Sequence, residues 1–250
     1  MVIRIKKVTA VTLGIILILL GISFLLYGFF GMDGSEEIKA KNTSAVSERE
    51  LDPDKPMIAL TYDDGPYTPV TGRILDSLNS AGGRATFFVV GSRIAGREEI
   101  VKKIALSGSE IGNHTYDHII LTNTSNENAV LQIKKTDEII LNTANVETKL
   151  LRPPCGCYNK AIKSSVNKSF VMWTVDTMDW SHQNKDKTVE LVLSKAKDGD
   201  IVLMHDLFIP TAEASEILIP ELAKRGFQLV TISELIKYKG EISGIILNNG

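Results

Sequence analysis

The sequence predicts an α/β fold built on a parallel sheet or barrel with helices packed outside it, and three observations carry that prediction. Short apolar runs of strand length alternate with segments of helical period about seven times along the chain. Gly, Pro and Asp residues mark many of the breaks between the two kinds of segment. Side chains able to do chemistry recur at the ends of the strand-like runs, which is where such folds gather their active sites.

The first apolar run, residues 57–62, stops at Asp-Asp-Gly-Pro and reads as a buried strand ended by a turn. Residues 70–80 place Ile74, Leu75 and Leu78 at helical spacing, with Gly82-Gly83 beyond. Residues 85–90 form a second strand, apolar and aromatic, and 94–106 a second helix with Gly108 past its end. Residues 110–113 make a short third strand and 126–141 a helix with a charged face. The remaining strands are expected at 149–152, 170–175, 201–204 and 227–230. Helices at 188–196 and 212–224 separate the last three, and 233–237 closes the domain.

This domain, 56–240, is preceded by three other segments. All the charge before Asp33 is basic (Arg4, Lys6, Lys7), which makes 1–7 a cytoplasmic N-terminus under the positive-inside rule. Residues 8–32 carry no charge, a run longer than the roughly 20 residues that cross a bilayer. It also exceeds the apolar core of an export signal, roughly 7–15 residues. An uncleaved transmembrane anchor is therefore expected, a cleaved signal being the alternative. It would hold the domain on the outer face of the cell membrane. Residues 33–55 read as a polar extracytoplasmic linker and 241–250 as a C-terminal tail.

Beyond the anchor the chain holds 25 Lys/Arg against 30 Asp/Glu. A mildly acidic domain without a basic stripe argues against nucleic acid as a partner. Cys155 and Cys157 are separated by Gly156 alone, and a disulfide across one residue would be strained, so no cysteine framework supports the fold.

His114 and His118 are four residues apart, a spacing that on a helical turn puts both imidazoles on one side, as needed to hold a divalent cation. Asp63 and Asp64 follow the first strand, and adjacent carboxylates can serve one pocket only where a strand breaks, which Gly65-Pro66 provides. One carboxylate can complete a three-ligand metal site, leaving the other to take a proton from water. Arg152, at the end of the fourth strand, would keep that free carboxylate ionised. His205, ending the run 201–204, suits a general acid, with a carboxylate such as Asp179 to keep it cationic. His182 lies among Ser, Gln, Asn and Lys and reads as a solvated loop residue. Each residue alone also has an ordinary explanation, such as a turn cap or a salt bridge. Their shared position at strand ends is the argument for function.

In this order the pieces resemble the polysaccharide deacetylases with a NodB homology domain, carbohydrate esterase family 4. The resemblance rests on five segments spread through the domain: Thr-Tyr-Asp-Asp-Gly-Pro at 61–66, His-Thr-Tyr-Asp-His at 114–118, Arg-Pro-Pro-Cys-Gly at 152–156, Asp-Thr-Met-Asp-Trp at 176–180 and Leu-Met-His at 203–205. It departs from the family at Cys155, where Tyr is usual, and at Tyr62, where Phe is usual. The resemblance implies an irregular (β/α)7 barrel with Asp63 as general base and Asp64, His114 and His118 as metal ligands. It further implies His205 as general acid, Arg152 and Asp179 tuning base and acid, and Trp180 and Leu203 lining the acetyl pocket. Cys155 falls in the sugar-binding groove. The implied metal is zinc, with cobalt, nickel or manganese as alternatives. The implied reaction is de-N-acetylation of a cell-envelope glycan, most simply peptidoglycan at N-acetylglucosamine-type residues. An exopolysaccharide or chitin-like substrate, or a catalytically silent carbohydrate-binding module, is the competing expectation.

Overall fold

The computed structural model describes residues 49–246. In chain order its elements are β1 (Met57–Asp63), α1 (Thr68–Ser80), β2 (Thr86–Val89), α2 (Glu98–Leu106), β3 (Glu110–Asn113), α3 (Asn126–Ala144), β4 (Leu150–Leu151) and α4 (Lys160–Ser165). There follow β5 (Ser169–Val171), β6 (Val175–Asp176), α5 (Asp179–His182), α6 (Lys185–Lys195), β7 (Asp200–His205), α7 (Ile209–Lys224), β8 (Gln228–Leu229), α8 (Ile232–Lys239) and β9 (Ile245–Ile246).

β1 is the centre of the sheet and is buried at every position. A strand covered on both faces has no polar side to alternate with, hence its nearly unbroken apolar sequence. β7 lies along one edge of β1 in parallel, from Ile58↔Asp200 to Asp63↔His205. β2 and β8 divide the other edge, β2 beside Thr61, Tyr62 and Asp63, and β8 beside Met57 and Ile58. The ladder runs β6-β7-β1-β2-β3-β4-β5-β9, parallel throughout except between β5 and β9. Among the described residues it stays open, with β6 and β9 at its ends, so the sheet forms a half-barrel of α/β type.

Strand alternation divides the core into two layers. Ile58, Leu60, Tyr62, Val202 and Met204 point outward and pack with helix residues such as Ile74, Leu78, Leu218 and Leu222. Met57, Ala59 and Ile201 point inward and, with Phe88 and Val171, fill the concave side. On the same inward rows, one step further along, lie Thr61 and Asp63 on β1 and Leu203 and His205 on β7. The apolar filling therefore stops where the polar site begins.

The structure departs from the sequence expectations in several places. The helix expected from residue 94 begins at Glu98, because Gly91–Arg93 form a separate 3-10 turn and Gly96, with φ 75°, breaks the helical backbone between them. The strand expected over 170–175 is two strands. Its middle changes partner, Met172 N–H going to Gly244 and Thr174 N–H to Ile201. The supposed tail contains β9, paired antiparallel with β5. α4, capped by Asn159, and α5 are short helices that the sequence pattern does not announce. The anchor expected at 8–32, the N-terminus at 1–7 and most of the linker lie outside the described residues. Among the described residues no helix is long and apolar enough to cross a membrane.

Candidate active site

The loops leaving the carboxyl ends of the strands surround a cavity of about 500 Å³. Asp63, Asp64, His114, His118, Cys155, Trp180, Leu203 and His205 line it, together with Trp173, Asp176 and Phe208. Arg152 and Asp179, the other two residues expected at the site, stand behind the wall at 0% and 2% exposure and reach the cavity through their partners.

The two adjacent carboxylates separate at Asp64 itself. Its φ of 74° turns the chain out of the strand one residue earlier than Gly65-Pro66, so Asp63 keeps its inward strand position while Asp64 swings to the same cavity. The Arg93 guanidinium holds the Asp64 carbonyl in that turn. Asp64 Oδ1 lies 3.5 Å from His114 Nε2 and 3.0 Å from His118 Nε2. These three donor atoms form the single His/Cys/Asp/Glu cluster of ligating geometry among the described residues, all within 4.8 Å of one another. Ligand bonds of about 2.0–2.1 Å at tetrahedral angles would put neighbouring donors about 3.3 Å apart, close to both distances. Asp64 Oδ1 is buried with no hydrogen-bond donor in place, and an orphaned carboxylate oxygen beside two imidazole nitrogens fits a divalent cation.

His114 and His118 do not share a helical turn. The segment is a loop in which Thr115 (φ 64°) and His118 (φ 55°) are left-handed. Asn113 Oδ1 and Gln132 Oε1 accept the loop N–H groups of Thr115, Tyr116 and Asp117 and so hold its shape. His114 Nδ1 lies 2.6 Å from the Arg152 carbonyl, which can only accept, so Nδ1 carries the proton and Nε2 faces the cavity free to ligate. Burial pushes the His114 pKa down, favouring the neutral ring a metal needs. At Asp64 burial opposes the charge, but the surrounding imidazoles of His118, His114 and His205 hold the carboxyl well below the usual range.

Asp63 has a different partner. Arg152 Nη1 donates to its Oδ1 at 2.8 Å and to Thr61 Oγ1 at 2.7 Å. Arg152 Nε and Nη2 donate to the carbonyls of Val171 and Met172, and the guanidinium lies 4.2 Å above the Phe88 ring. Phe88 can occupy that place because its strand neighbour is Gly112, where a Cβ would fall 2.4 Å from the ring.

His205 Nδ1 donates to Asp179 Oδ1 at 2.7 Å, leaving Nε2 for the cavity. Asp179 also accepts from the His205 and Trp180 N–H groups and from Thr211 Oγ1. Burial works against the His205 cation, yet Asp179 outweighs it and lifts the pKa to about 9. Asp179 in turn is held below its usual range, its burial overcome by the His205 hydrogen bond. His182 is not a solvated bystander. It donates Nε2–H to the Thr177 carbonyl and accepts Asn184 N–H at Nδ1, bracing the turn that carries Asp179 and Trp180.

Leu203 forms a buried floor, and Trp180 stands 49% exposed at the rim. Cys155, with φ 56°, exposes a thiol outside the ligand cluster, and burial raises its pKa away from the thiolate. Both cysteines are free. Sequence reasoning did not select Thr61, Thr211 or Asp206. Asp206 is 1% exposed, and burial pushes its carboxyl up to about 7. Its one sequence signal is its place beside His205.

A family model described as polysaccharide deacetylase matches residues 50–172. The chain is 37% identical to the peptidoglycan-N-acetylmuramic acid deacetylase PdaC of Bacillus subtilis over 80% of its own length and 46% of that protein's, so it spans about half of that relative. It is also 37% identical to a peptidoglycan-N-acetylglucosamine deacetylase of Bacillus cereus, covering 76% of this chain and 92% of that one. The PdaC structure superposes with a TM-score of 0.75 at 40% identity, covering 76% of this chain and 94% of that one. A family pseudoenzyme from Bacillus anthracis superposes at 0.68 with 31% identity, covering 74% of this chain and 66% of that one.

Proposed function

This chain belongs to the polysaccharide deacetylase family, carbohydrate esterase family 4, and from that premise we propose that it is a metal-dependent hydrolase removing acetyl groups from the acetamido sugars of a cell-envelope glycan. Peptidoglycan is the substrate we favour, at N-acetylglucosamine-type residues, because relatives named for peptidoglycan deacetylation match along most of the domain. One observation carries the reading: two adjacent carboxylates face one cavity, Asp64 orphaned between two imidazole nitrogens and Asp63 paired to a buried arginine. The family includes a pseudoenzyme, so turnover is argued from the site itself. The division of labour between Asp63 and Asp64 supports it.

Asp64, His114 and His118 would hold the metal, zinc by the preference of imidazole and carboxylate donors, with cobalt, nickel or manganese as alternatives. When bound it supplies Lewis-acid polarisation of the acetamide carbonyl and lowers the pKa of a coordinated water. Asp63, oriented by its hydrogen bond from Arg152, takes the proton of the attacking water. The acetyl methyl packs against Leu203 and Trp180. In the Pro154 turn the Gly156 and Cys157 N–H groups are spent on Pro153 and Pro154 carbonyls. The Cys155 N–H of the same turn would donate to the developing oxyanion. His205, cationic through Asp179, gives its Nε2 proton to the departing nitrogen, leaving acetate and a free amine.

The uncharged run at 8–32 supports a membrane anchor that keeps this domain at the outer face of the cell, within reach of wall polymer. Metal content and acetate release, measured on a panel of peptidoglycan, chitin-type oligomers and an N-acetylated exopolysaccharide, test the reading. Acetate from peptidoglycan with one bound metal is the expected result. Release from the other polymers alone would move the substrate, and a metal-free protein releasing nothing from any would leave a binding module.

A further inference from the structure

Asp206 is the buried acid that the chemistry above leaves unused. It follows His205 just past the end of β7, and its N–H donates to the Asp63 carbonyl at 3.1 Å, carrying the β1–β7 pairing one step beyond the sheet. Its Oδ2 accepts from Thr71 Oγ1 at 2.5 Å, and Thr71 Oγ1 in turn accepts Tyr67 N–H at 3.0 Å. The carboxyl lies directly against the backbone of Gly65, where a Cβ would fall 2.2 Å from both of its oxygens. Its Oδ1 is buried without a hydrogen-bond partner. A carboxyl buried this way is costly, and packing alone would be served as well by an apolar side chain.

We propose that Asp206 is a positioning residue, a clasp that fixes the turn carrying Asp63 and Asp64 to the strand end carrying His205. The need for it follows from the topology. Asp64 and Gly65 have left β1, so no sheet hydrogen bond sets their distance from His205. The clasp ties them on one side to β7 and on the other, through Thr71, to the first turns of α1. Gly65 permits the contact because it has no side chain. The inference rests on the functional reading for its effect on turnover, but its effect on the ligand turn stands apart from it.

The test uses the full-length chain as Thr71→Val, Thr71→Ser, Asp206→Ala and the double variant Thr71→Val/Asp206→Ala. Zinc affinity is read by competition with a chromophoric chelator, acetate release at saturating zinc, and folding by thermal unfolding. Thr71→Val and Asp206→Ala are each expected to weaken zinc binding by about 10-fold. They should lower kcat by about 10- to 100-fold with KM within about two-fold of the parent. The double variant should be no worse than Asp206→Ala, and Thr71→Ser should match the parent. Parental zinc affinity and kcat in folded Thr71→Val, or effects that simply add in the double variant, would overturn the proposal. Should Asp206→Ala fail to fold, the Thr71→Val and Thr71→Ser pair decides alone. Should the parent release no acetate, the functional reading fails while zinc affinity still tests the clasp.

Discussion

Asp63 and His205 are register partners across the β1–β7 ladder. The proposed proton acceptor and donor thus stand on neighbouring strands, and each has its own buried counter-ion, Arg152 for one and Asp179 for the other. The two pairs are separate, which lets each be removed without the other.

Asp63→Asn removes the proposed base and keeps its shape. Asp64, His114 and His118 retain their positions, so metal content should match the parent while acetate release falls by about 10²- to 10⁴-fold. Metal analysis beside single-turnover acetate release checks this; parental turnover would refute the role of Asp63.

Asp179→Asn acts on the other side. With Asp179 in place His205 stays protonated up to about pH 9, so the alkaline limb of kcat/KM should lie near there. Without it the imidazole loses its hydrogen-bonded anion, and that limb should move toward the ordinary histidine range near 6.5. The same shift has a stability consequence. A histidine raised in the fold contributes fully below its unfolded pKa, near 6.5, and loses that contribution as pH rises through about 9. The parent should therefore lose more stability than Asp179→Asn between those values, as chemical denaturation across pH would show.

Arg152 is 0% exposed, and its guanidinium bonds Asp63, Thr61 and two carbonyls. Arg152→Met leaves the Asp63 carboxylate buried without a counter-charge, an effect of about 3–5 kcal/mol. Arg152→Met/Asp63→Asn should be destabilised by less than the sum of the single changes, because each single change strands one partner of a buried pair and the double change strands neither. Denaturant midpoints of the four proteins measure the coupling; strict additivity would show that the pair does not act as one.

How far the sequence shows this arrangement depends on the range of the interactions involved. β1 and β7 are plain because burial on both faces makes them nearly continuous apolar runs. β9 pairs with a strand more than seventy residues earlier through two residues, a contact no local pattern announces. The ligand set is legible as residue types at spacing, but the shape of its loop is not. Thr115 and His118 adopt left-handed backbone because Gln132 and Asn113 hold the loop from outside it. Asp206 and Thr71 are hidden for the same reason, being 135 residues apart and joined by one hydrogen bond. Cys155, by contrast, lines the cavity as its place in the motif implies, with its thiol outside the cluster of Asp64, His114 and His118.

Removing the metal should separate chemistry from folding. The three ligand side chains lie at a strand end and in loops, apart from both apolar layers of the core. A chelator should therefore abolish acetate release while leaving the secondary structure intact. The melting temperature should drop only by the linkage expected when a ligand of the native state is withdrawn. Zinc should restore activity. Cys155→Ala should bind zinc with parental stoichiometry, because its thiol lies outside the cluster of Asp64, His114 and His118. His114→Ala, by contrast, should lose zinc at concentrations that saturate the parent, since its Nε2 is one of the three donor atoms of the proposed site. Zinc lost on changing Cys155, or retained on changing His114, would move the metal centre away from these residues.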